Sequence, residues 1–360
     1  MKRILILTAS FGEGHNSAAR GVRDGLARVA PEQSEVELRD LFAETYGSLN
    51  EFVRKVYLAV INRWPQSWGY VYRWLERKKD FDKSFRRFSR LKGHFATLLD
   101  RFRPDVIVST FPPFPYLFHQ ISGPSPDCKN VVVITDSITV NSIWYRCVAD
   151  YFLVPNVQSA AVLRAGGITP EKIKIFGFPV SPKFADLTQD RLSPPSNHRR
   201  VLYVVNPPTM KASELVRRLV ELDIHLTVTV GRADALRSAI KEAAGHRKID
   251  IIGWTEDLPR MLHESHLLIG KAGGATVQET IAAGCPMIIN HVVSGQEEGN
   301  ARLIVETNSG VIAHSPAEAV AQVQRAFADD AKQWREWAAN ISRLSRPRAS
   351  LEIAEFLLSI

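Results

Sequence analysis

Four groups of residues in this sequence combine side chains that do chemistry with backbone able to present them. The first is Ser10-Phe11-Gly12-Glu13-Gly14-His15, a glycine-bearing turn after a short apolar run. An imidazole titrating near neutrality can take the proton of a hydroxyl. Gly12 and Gly14 on either side let the backbone turn so that the ring faces a ligand. The alternative is a histidine that only caps the helix that follows. Asp136, at the end of the apolar run Val131–Thr135, either orients His15, binds a substrate, or caps a turn. The third group, Gly270-Lys271-Ala272-Gly273-Gly274-Ala275-Thr276-Val277-Gln278-Glu279, follows an apolar run and opens a helix. Gly273 and Gly274 permit close backbone approach, and N–H groups of the next turn can hold phosphate oxygens. Thr276 adds a hydroxyl donor, and Glu279 is placed to accept both hydroxyls of a ribose. The competing explanation is a capping box of Thr276 and Glu279. Lys271 approaches a P-loop, but the upstream glycine of that motif is missing. Fourth, Ser294-Gly295-Gln296-Glu297-Glu298-Gly299-Asn300 is a glycine-bounded loop crowded with amides and carboxylates. Gln296, Glu297 and Asn300 supply the paired donors and acceptors that a polyhydroxylated ligand needs; an ordinary exposed helix start is the alternative.

The elements that must position these groups read as two similar halves. Short apolar strands are expected at Ile4–Thr8, Val106–Ser109, Val131–Thr135 and Tyr151–Val154, with a helix over Ser17–Val29. The pattern lapses from Pro179 to Arg200, where Pro182, Pro194 and Pro195 punctuate the chain. It restarts with Val201–Val205, Leu226–Val230, Ile249–Ile252, Leu267–Ile269 and Met287–Ile289, interleaved with helices such as Ser213–Leu222 and Thr276–Ala283. Apolar strands alternating with helices predict parallel sheets covered on both faces, so the fold class is α/β with two doubly wound, Rossmann-like domains facing an interdomain cleft. The expected boundaries are 1–180, a linker over 181–199, 200–330, and a helical segment over 331–360 in which Trp334 and Trp337 share a face.

A chain of 360 residues, 45% hydrophobic, suits two cores. Cys128, Cys147 and Cys285 are scattered singly, which argues against a disulfide framework or a zinc site and for a reducing, cytoplasmic setting. The basic start at Lys2-Arg3 has too short an apolar run for a signal peptide, and no stretch reaches the roughly 20 apolar residues of a membrane span. Residues 51–103 hold 14 Lys/Arg against 5 Asp/Glu and 12 of the 32 aromatic residues. Lys78, Lys79, Lys83, Arg86 and Arg87 beside Trp64, Trp68 and Trp74 suit peripheral binding to an anionic membrane surface. A solvated basic face over buried rings is the alternative. No nucleic-acid-reading module accompanies the charge.

The spacing Gly273-Gly274-x-Thr276-x-x-Glu279, then Gly295-Gln296-Glu297-x-x-Asn300, resembles the donor site of the monogalactosyldiacylglycerol synthases and processive diacylglycerol glucosyltransferases. It is more distantly similar to the enzyme that glycosylates lipid I. Ser10–Ala19 resembles that family's acceptor-side loop, with Gly12 and Gly14. Pro104–Pro112, Ile134-Thr135-Asp136, Asp150–Val154 and Phe176–Val180 follow in family order, so the resemblance spans about residues 1–315. It implies a GT-B glycosyltransferase that moves a hexose from a UDP-sugar to a lipid acceptor, diacylglycerol or another, in glycolipid biosynthesis. Gly273, Gly274 and Thr276 would hold the diphosphate, Glu279 the ribose, and Gln296 and Glu297 the sugar. Trp254 falls where the family places a residue beside the base, with core packing as its alternative. His15 would be the catalytic base. No metal and no other cofactor is expected, because helix N-terminal N–H groups can stabilise the leaving diphosphate. Asp80-Phe81-Asp82 matches a metal-binding DxD pattern, but it sits among Lys78, Lys79, Lys83, Arg86 and Arg87 in an expected helix.

The chain departs from the family twice. After Val201–Val205 it has Asn206-Pro207-Pro208-Thr209-Met210-Lys211 where a glycine-rich turn is usual, and proline donates no N–H. Between Asp136 and Trp144 the usual histidine is absent, with Asn141 the nearest polar residue. Rival functions are a UDP-sugar epimerase-like enzyme and a membrane-associated nucleotide-sugar-binding protein without turnover.

Overall fold

The computed structural model describes residues 1–63, 81–123, 127–187, 199–205, 211–293 and 297–360, with side chains at all of these except 57–63. They form two compact units: Met1–Pro182 with Ser294–Gly299 and Arg348–Ile360, and Lys183–Val293 with Asn300–Pro347. The residues up to Gly299 and the chain's last helix therefore count with the N-terminal unit.

The first unit runs Lys2–Leu7 (β1), Glu13–Val29 (α1), Ser34–Arg39 (β2), Leu41–Tyr46 (α2), Ser48–Arg63 (α3), Asp82–Phe85 (α4), Ser89–Phe102 (α5), Val106–Ser109 (β3), Pro113–Ser122 (α6), Lys129–Val133 (β4), Tyr151–Val154 (β5), Val157–Ala165 (α7) and Ile173–Ile175 (β6). Its strands are parallel in the order β2-β1-β3-β4-β5-β6. Ile4, Leu5, Ile6 and Leu7 are all fully buried, as a central strand covered on both faces requires. Helix α1 begins at Glu13, four residues before the expected Ser17. Its first turn, Glu13-Gly14-His15-Asn16, is polar, and the apolar periodicity starts only at Ala18. The helix is held at very close range. A Cβ on Gly21 would lie 1.7 Å from the Pro179 carbonyl oxygen, and one on Gly25 2.3 Å from that of Ser350.

The second unit contains Lys183–Asp186 (α8), Arg200–Val204 (β7), Ala212–Leu219 (α9), His225–Gly231 (β8), Asp234–Ala244 (α10), Asp250–Gly253 (β9), Leu258–His263 (α11), Leu267–Lys271 (β10), Gly274–Ala283 (α12) and Met287–His291 (β11). Glu298–Glu306 (α13), Gly310–Ile312 (β12) and Pro316–Leu344 (α14) follow, and Ala349–Ser359 (α15) packs on α1 in the first unit. The sheet is again parallel, in the order β12-β11-β10-β7-β8-β9. Strands β2, β6 and β12, which the apolar runs did not announce, lie at sheet edges. One face of this sheet builds a core of Val201, Tyr203, Val228 and Leu267 against Trp334 and Trp337. The expectation of strands covered on both faces fails at β8. His225 and Thr227 point to a face left partly open, while Leu226, Val228 and Val230 are buried on the other. Helix α14 is broken at Ala328–Ala331 by left-handed residues, so the tail is two helices with a kink.

Both sheets are parallel and six-stranded with interleaved helices, and each has one topological switch point. In the first it falls between β1 and β3, and in the second between β7 and β10. Ligands of open α/β sheets bind outside the carboxyl ends of the strands at such points.

Candidate active site

His15 occupies the third position of α1, just past the carboxyl end of β1. Its Nδ1 lies 2.8 Å from the Thr110 carbonyl oxygen, immediately after β3, and 3.1 Å from Thr135 Oγ1, after β4. A carbonyl oxygen only accepts, so the proton sits on Nδ1 and Nε2 carries the lone pair. The tautomer a general base needs is fixed by backbone. Burial lowers the imidazole's pKa to about 4, partly opposed by the Thr110 hydrogen bond, and the ring is therefore neutral at pH 7. The ring packs edge-on to Phe111 at 5.1 Å between centroids and tilted against Trp144 at 5.8 Å. Phe11 stacks on Phe111 at 5.8 Å, and Phe42 of α2 meets both edge-on.

Asp136 is near this ring but does not hold Nδ1. Its Oδ2 accepts the indole N–H of Trp144 at 2.8 Å, which fixes the buried ring that lies against His15. Asp136 thus holds the Trp144 ring that lies beside His15. Two residues on, Ile138 has φ of +59°, a costly conformation for a β-branched residue and a mark of a constrained loop. Asn141, the polar residue nearest the missing family histidine, accepts the Ile143 N–H and is buried.

The reason first given for Gly12 and Gly14 does not survive. Gly12 is the N-cap of α1 with extended backbone, φ −170°, which any residue adopts, and Gly14 lies within the helix. The turn is held instead by side chains. Asp40 Oδ2 accepts from both Ser10 N–H and Ser10 Oγ, at 2.9 and 2.7 Å, while Asn16 bonds Thr8 and Ser10.

In the second unit, Gly273 is the N-cap of α12 at the carboxyl end of β10, and Thr276 is the helix's third residue. Thr276 is therefore not a cap and Glu279 is not three residues beyond one, so the capping-box alternative falls. The first intrahelical bond is Val277 N–H to Gly273 O at 2.9 Å. The N–H groups of Gly274, Ala275 and Thr276 precede it, at the positive end of the helix dipole. Asn300 of α13 is buried. It donates Nδ2 to the Ala272 carbonyl at 3.1 Å, bracing the turn from behind, and its Oδ1 has no partner. Glu279 is half-buried. Trp254, after β9, is 58% exposed, which removes core packing as its explanation, and the Arg232 guanidinium lies over its ring at 5.0 Å.

Glu297 is buried and belongs to the first unit, as does Gly299. A Cβ on Gly299 would lie 2.1 Å from the Ser137 carbonyl oxygen, so the start of α13 is pressed against the Asp136 loop within that unit. Gln296, residues 206–210, Trp64, Trp68, Trp74, Lys78, Lys79 and Asp80 lie outside the described residues. Lys83, Arg86 and Arg87 are exposed, whereas Phe81, Phe85, Phe95 and Phe102 are buried. Over 81–103 the basic face is solvated and the rings are internal. Asp82 accepts from the Gln120 amide at 3.2 Å. No group of three metal-ligating side chains occurs among the described residues, nor does any helix among them have the length and apolarity to cross a membrane. A groove of about 520 Å³ lies on the open face of β7–β9, against α11. Arg200, His225 and Asp250 in its wall begin their strands, so its floor reaches the amino ends of the sheet, opposite the switch point.

Sequence reasoning gives Asp40 no part in the site, and Thr110, Thr135, Trp144, Ser10 and Asn16 stand in or beside its motifs without an assigned role. Thr110 acts through its carbonyl, which no residue type reveals. The pair Thr135-Asp136 was legible as a strand-end feature, but not which of the two reaches the imidazole.

Residues 15–180 match the family described as monogalactosyldiacylglycerol (MGDG) synthase, and residues 209–343 match the glycosyltransferase family 28 C-terminal domain. The processive diacylglycerol beta-glucosyltransferase of Bacillus subtilis is 26% identical over 91% of this chain and 88% of its own length. Monogalactosyldiacylglycerol synthase 3 of Arabidopsis thaliana is 24% identical over 99% of this chain and 80% of its own. Among solved structures, Acinetobacter baumannii MurG superposes with a TM-score of 0.62 at 14% identity, covering all of both chains. Os79 of O. sativa in complex with UDP gives 0.65 at 13% identity over 99% of each chain. The UDP-GlcNAc 2-epimerase of Neisseria meningitidis bound to UDP-GlcNAc gives 0.62 at 12%, again over all of both. These likenesses show the GT-B fold.

Proposed function

We propose that this chain, which matches the MGDG synthase family over residues 15–180 and the family 28 C-terminal domain over 209–343, is a glycosyltransferase that moves a hexose from a UDP-sugar to diacylglycerol or a similar lipid alcohol. The observation that carries the reading is the His15 tautomer. With Nδ1–H given to the Thr110 carbonyl, Nε2 takes the acceptor's proton as its oxygen bonds the anomeric carbon and the anomeric C–O bond to UDP breaks. The walls of Phe11, Phe111 and Trp144 around the ring suit an acceptor whose hydroxyl is attached to an apolar body. The turn at Gly273, Gly274 and Thr276 takes the diphosphate, whose developing charge meets helix N–H groups without a metal. Glu279 takes the ribose, Trp254 the base, and Gln296 and Glu297 the sugar, with Asn300 bracing the turn. The protein works peripherally at an anionic membrane.

The test is incubation with UDP-hexoses and diacylglycerol in mixed micelles, with the lipid product read by mass spectrometry. Glycolipid formed by the wild type and lost in His15→Ala supports the reading. The likeness to epimerases supplies the rival: sugar isomerisation without any acceptor would replace the transferase.

A further inference from the structure

The carboxyl ends of β8 and β9 carry two cations that the transfer step leaves unused. Gly231 and Gly253 are partners across these strands, so the next residues, Arg232 and Trp254, leave the sheet side by side. Gly231, at φ +59°, turns the chain there, a conformation that glycine adopts without strain. Trp254 is exposed, and the Arg232 guanidinium lies over its ring at 5.0 Å. Gly253 has no side chain to hold off a second cation, since a Cβ there would lie 3.3 Å from Arg237 Nη2. Arg218, Arg247, Arg260 and Arg302 of the same unit each pair with a carboxylate. Arg232 and Arg237 are exposed and pair with none among the described residues. Two guanidiniums beside an open indole, with no anion, leave a surplus of donors.

An indole offers a base stacking, and stacking does not choose among bases, because every base has a π-face. Choice comes from hydrogen bonds at the base edge. Arginine carries five N–H donors and no acceptor, so it suits a carbonyl oxygen and not an amino group. Uracil, like thymine, presents O4 at the position where cytosine presents its N4 amino group. Two planar groups laid on one face of a ring share a plane, so a base beside the guanidinium meets its N–H groups edge-on. The position also fits a nucleotide. In the order β10-β7-β8-β9, three strand spacings of about 4.8 Å, roughly 14 Å in all, separate the strand before Gly273 from the strand before Trp254. An extended nucleoside diphosphate spans such a distance with its phosphates at the start of α12.

We propose that Arg232 is the residue that restricts the donor to nucleotides with a carbonyl oxygen at the base edge, uracil and not cytosine, by donating to that oxygen while Trp254 stacks on the base. The inference rests on the reading of this unit as a nucleotide-sugar site, and the experiment separates the two. UDP and CDP differ only at the pyrimidine edge. Their binding to the full-length wild type, Arg232→Ala and Trp254→Ala is measured by calorimetry, with circular dichroism reporting the fold. The wild type should bind UDP about 10–100-fold more tightly than CDP, the discrimination that an arginine contact to a base edge supplies. Arg232→Ala should bring the ratio to about threefold or less, since the remaining stacking is base-tolerant. Trp254→Ala should weaken both nucleotides and keep the preference. A ratio that Arg232→Ala leaves as in the wild type overturns the proposal. That holds where both affinities fall alike, as a phosphate contact or a simple support of the indole demands, and where neither falls. A wild type that binds UDP and CDP equally overturns it as well and leaves the donor reading standing. A wild type that binds neither removes the donor reading, and this inference with it. Should Arg232→Ala not fold, Arg232→Gln, which keeps a planar group and adds an acceptor, takes its place under the same criteria.

Discussion

The two switch points of the molecule share a backbone plan and differ in chemistry. At β1/β3 and at β7/β10 a central strand ends, the chain turns, and a helix begins behind a glycine N-cap without a side-chain cap. In the first unit the opening turn carries His15, whose ring is enclosed by aromatics and tied to a carbonyl. In the second it carries Gly274, Ala275 and Thr276, small residues that leave N–H groups approachable. One geometry thus presents a neutral imidazole where the side chains are large and open N–H groups where they are small. A helix N-terminus is not specific in itself; the residues of its first turn decide what it does.

The comparison breaks most visibly at His15. His15→Ala should lower sugar transfer by about 10²–10⁴-fold while UDP affinity, read by calorimetry, stays as in the wild type. A joint loss would mean the two sites do not divide the work. Next, Glu279→Ala should raise the KM for donor about 10–100-fold with little change in kcat, as loss of hydrogen bonds to a charged group implies. A fall in kcat alone would move Glu279 from binding to chemistry. Trp254→Ala should weaken donor binding about fivefold or more, since stacking of a base on an aromatic ring contributes roughly 1–3 kcal/mol.

The pH profile sharpens the contrast. Because burial lowers the His15 pKa to about 4, the base stays unprotonated as pH falls past 6.5, and the acid limb of kcat/KM should lie near the lower value. The same shift works against stability in acid. The unfolded chain binds the proton first, so stability present above pH 6.5 is lost as pH falls toward 4. An acid limb near 6.5 would show a histidine in contact with bulk water. The smallest effect expected is from chelation: EDTA should leave the transfer rate unchanged, and a loss restored by a divalent ion would assign the leaving group to a metal.

Much of this was open to sequence reasoning. Strands β3 and β5 were placed residue for residue, because fully buried parallel strands are continuous apolar runs. Edge strands such as β2, Ser-Glu-Val-Glu-Leu-Arg, escape notice because charged residues alternate with the apolar ones and none of the six is buried. His15, Gly273 and Gly274 were identifiable by residue type and by their place after a strand. The capping-box alternative at Thr276 and Glu279 stays open in the sequence, which does not show that the helix starts behind Gly273. Leu49, Phe52, Val53 and Val56 are exposed on α3, an orientation that no periodicity reveals. A period of 3.6 says that a helix has two faces and not which one turns inward.

What the sequence determined by itself is the inventory: two alternating α/β halves, one imidazole after the first strand, one glycine pair before a late helix. The order of residues along the chain dictates local geometry, and local geometry suffices for these. Only the tertiary structure decided how they are used. The proton on His15 Nδ1 is set by a carbonyl 95 residues away, the Asp136 carboxylate serves Trp144, and Asn300 reaches back 28 residues to brace Ala272. Each depends on directions and distances across the sheet, which exist only once the strands have paired.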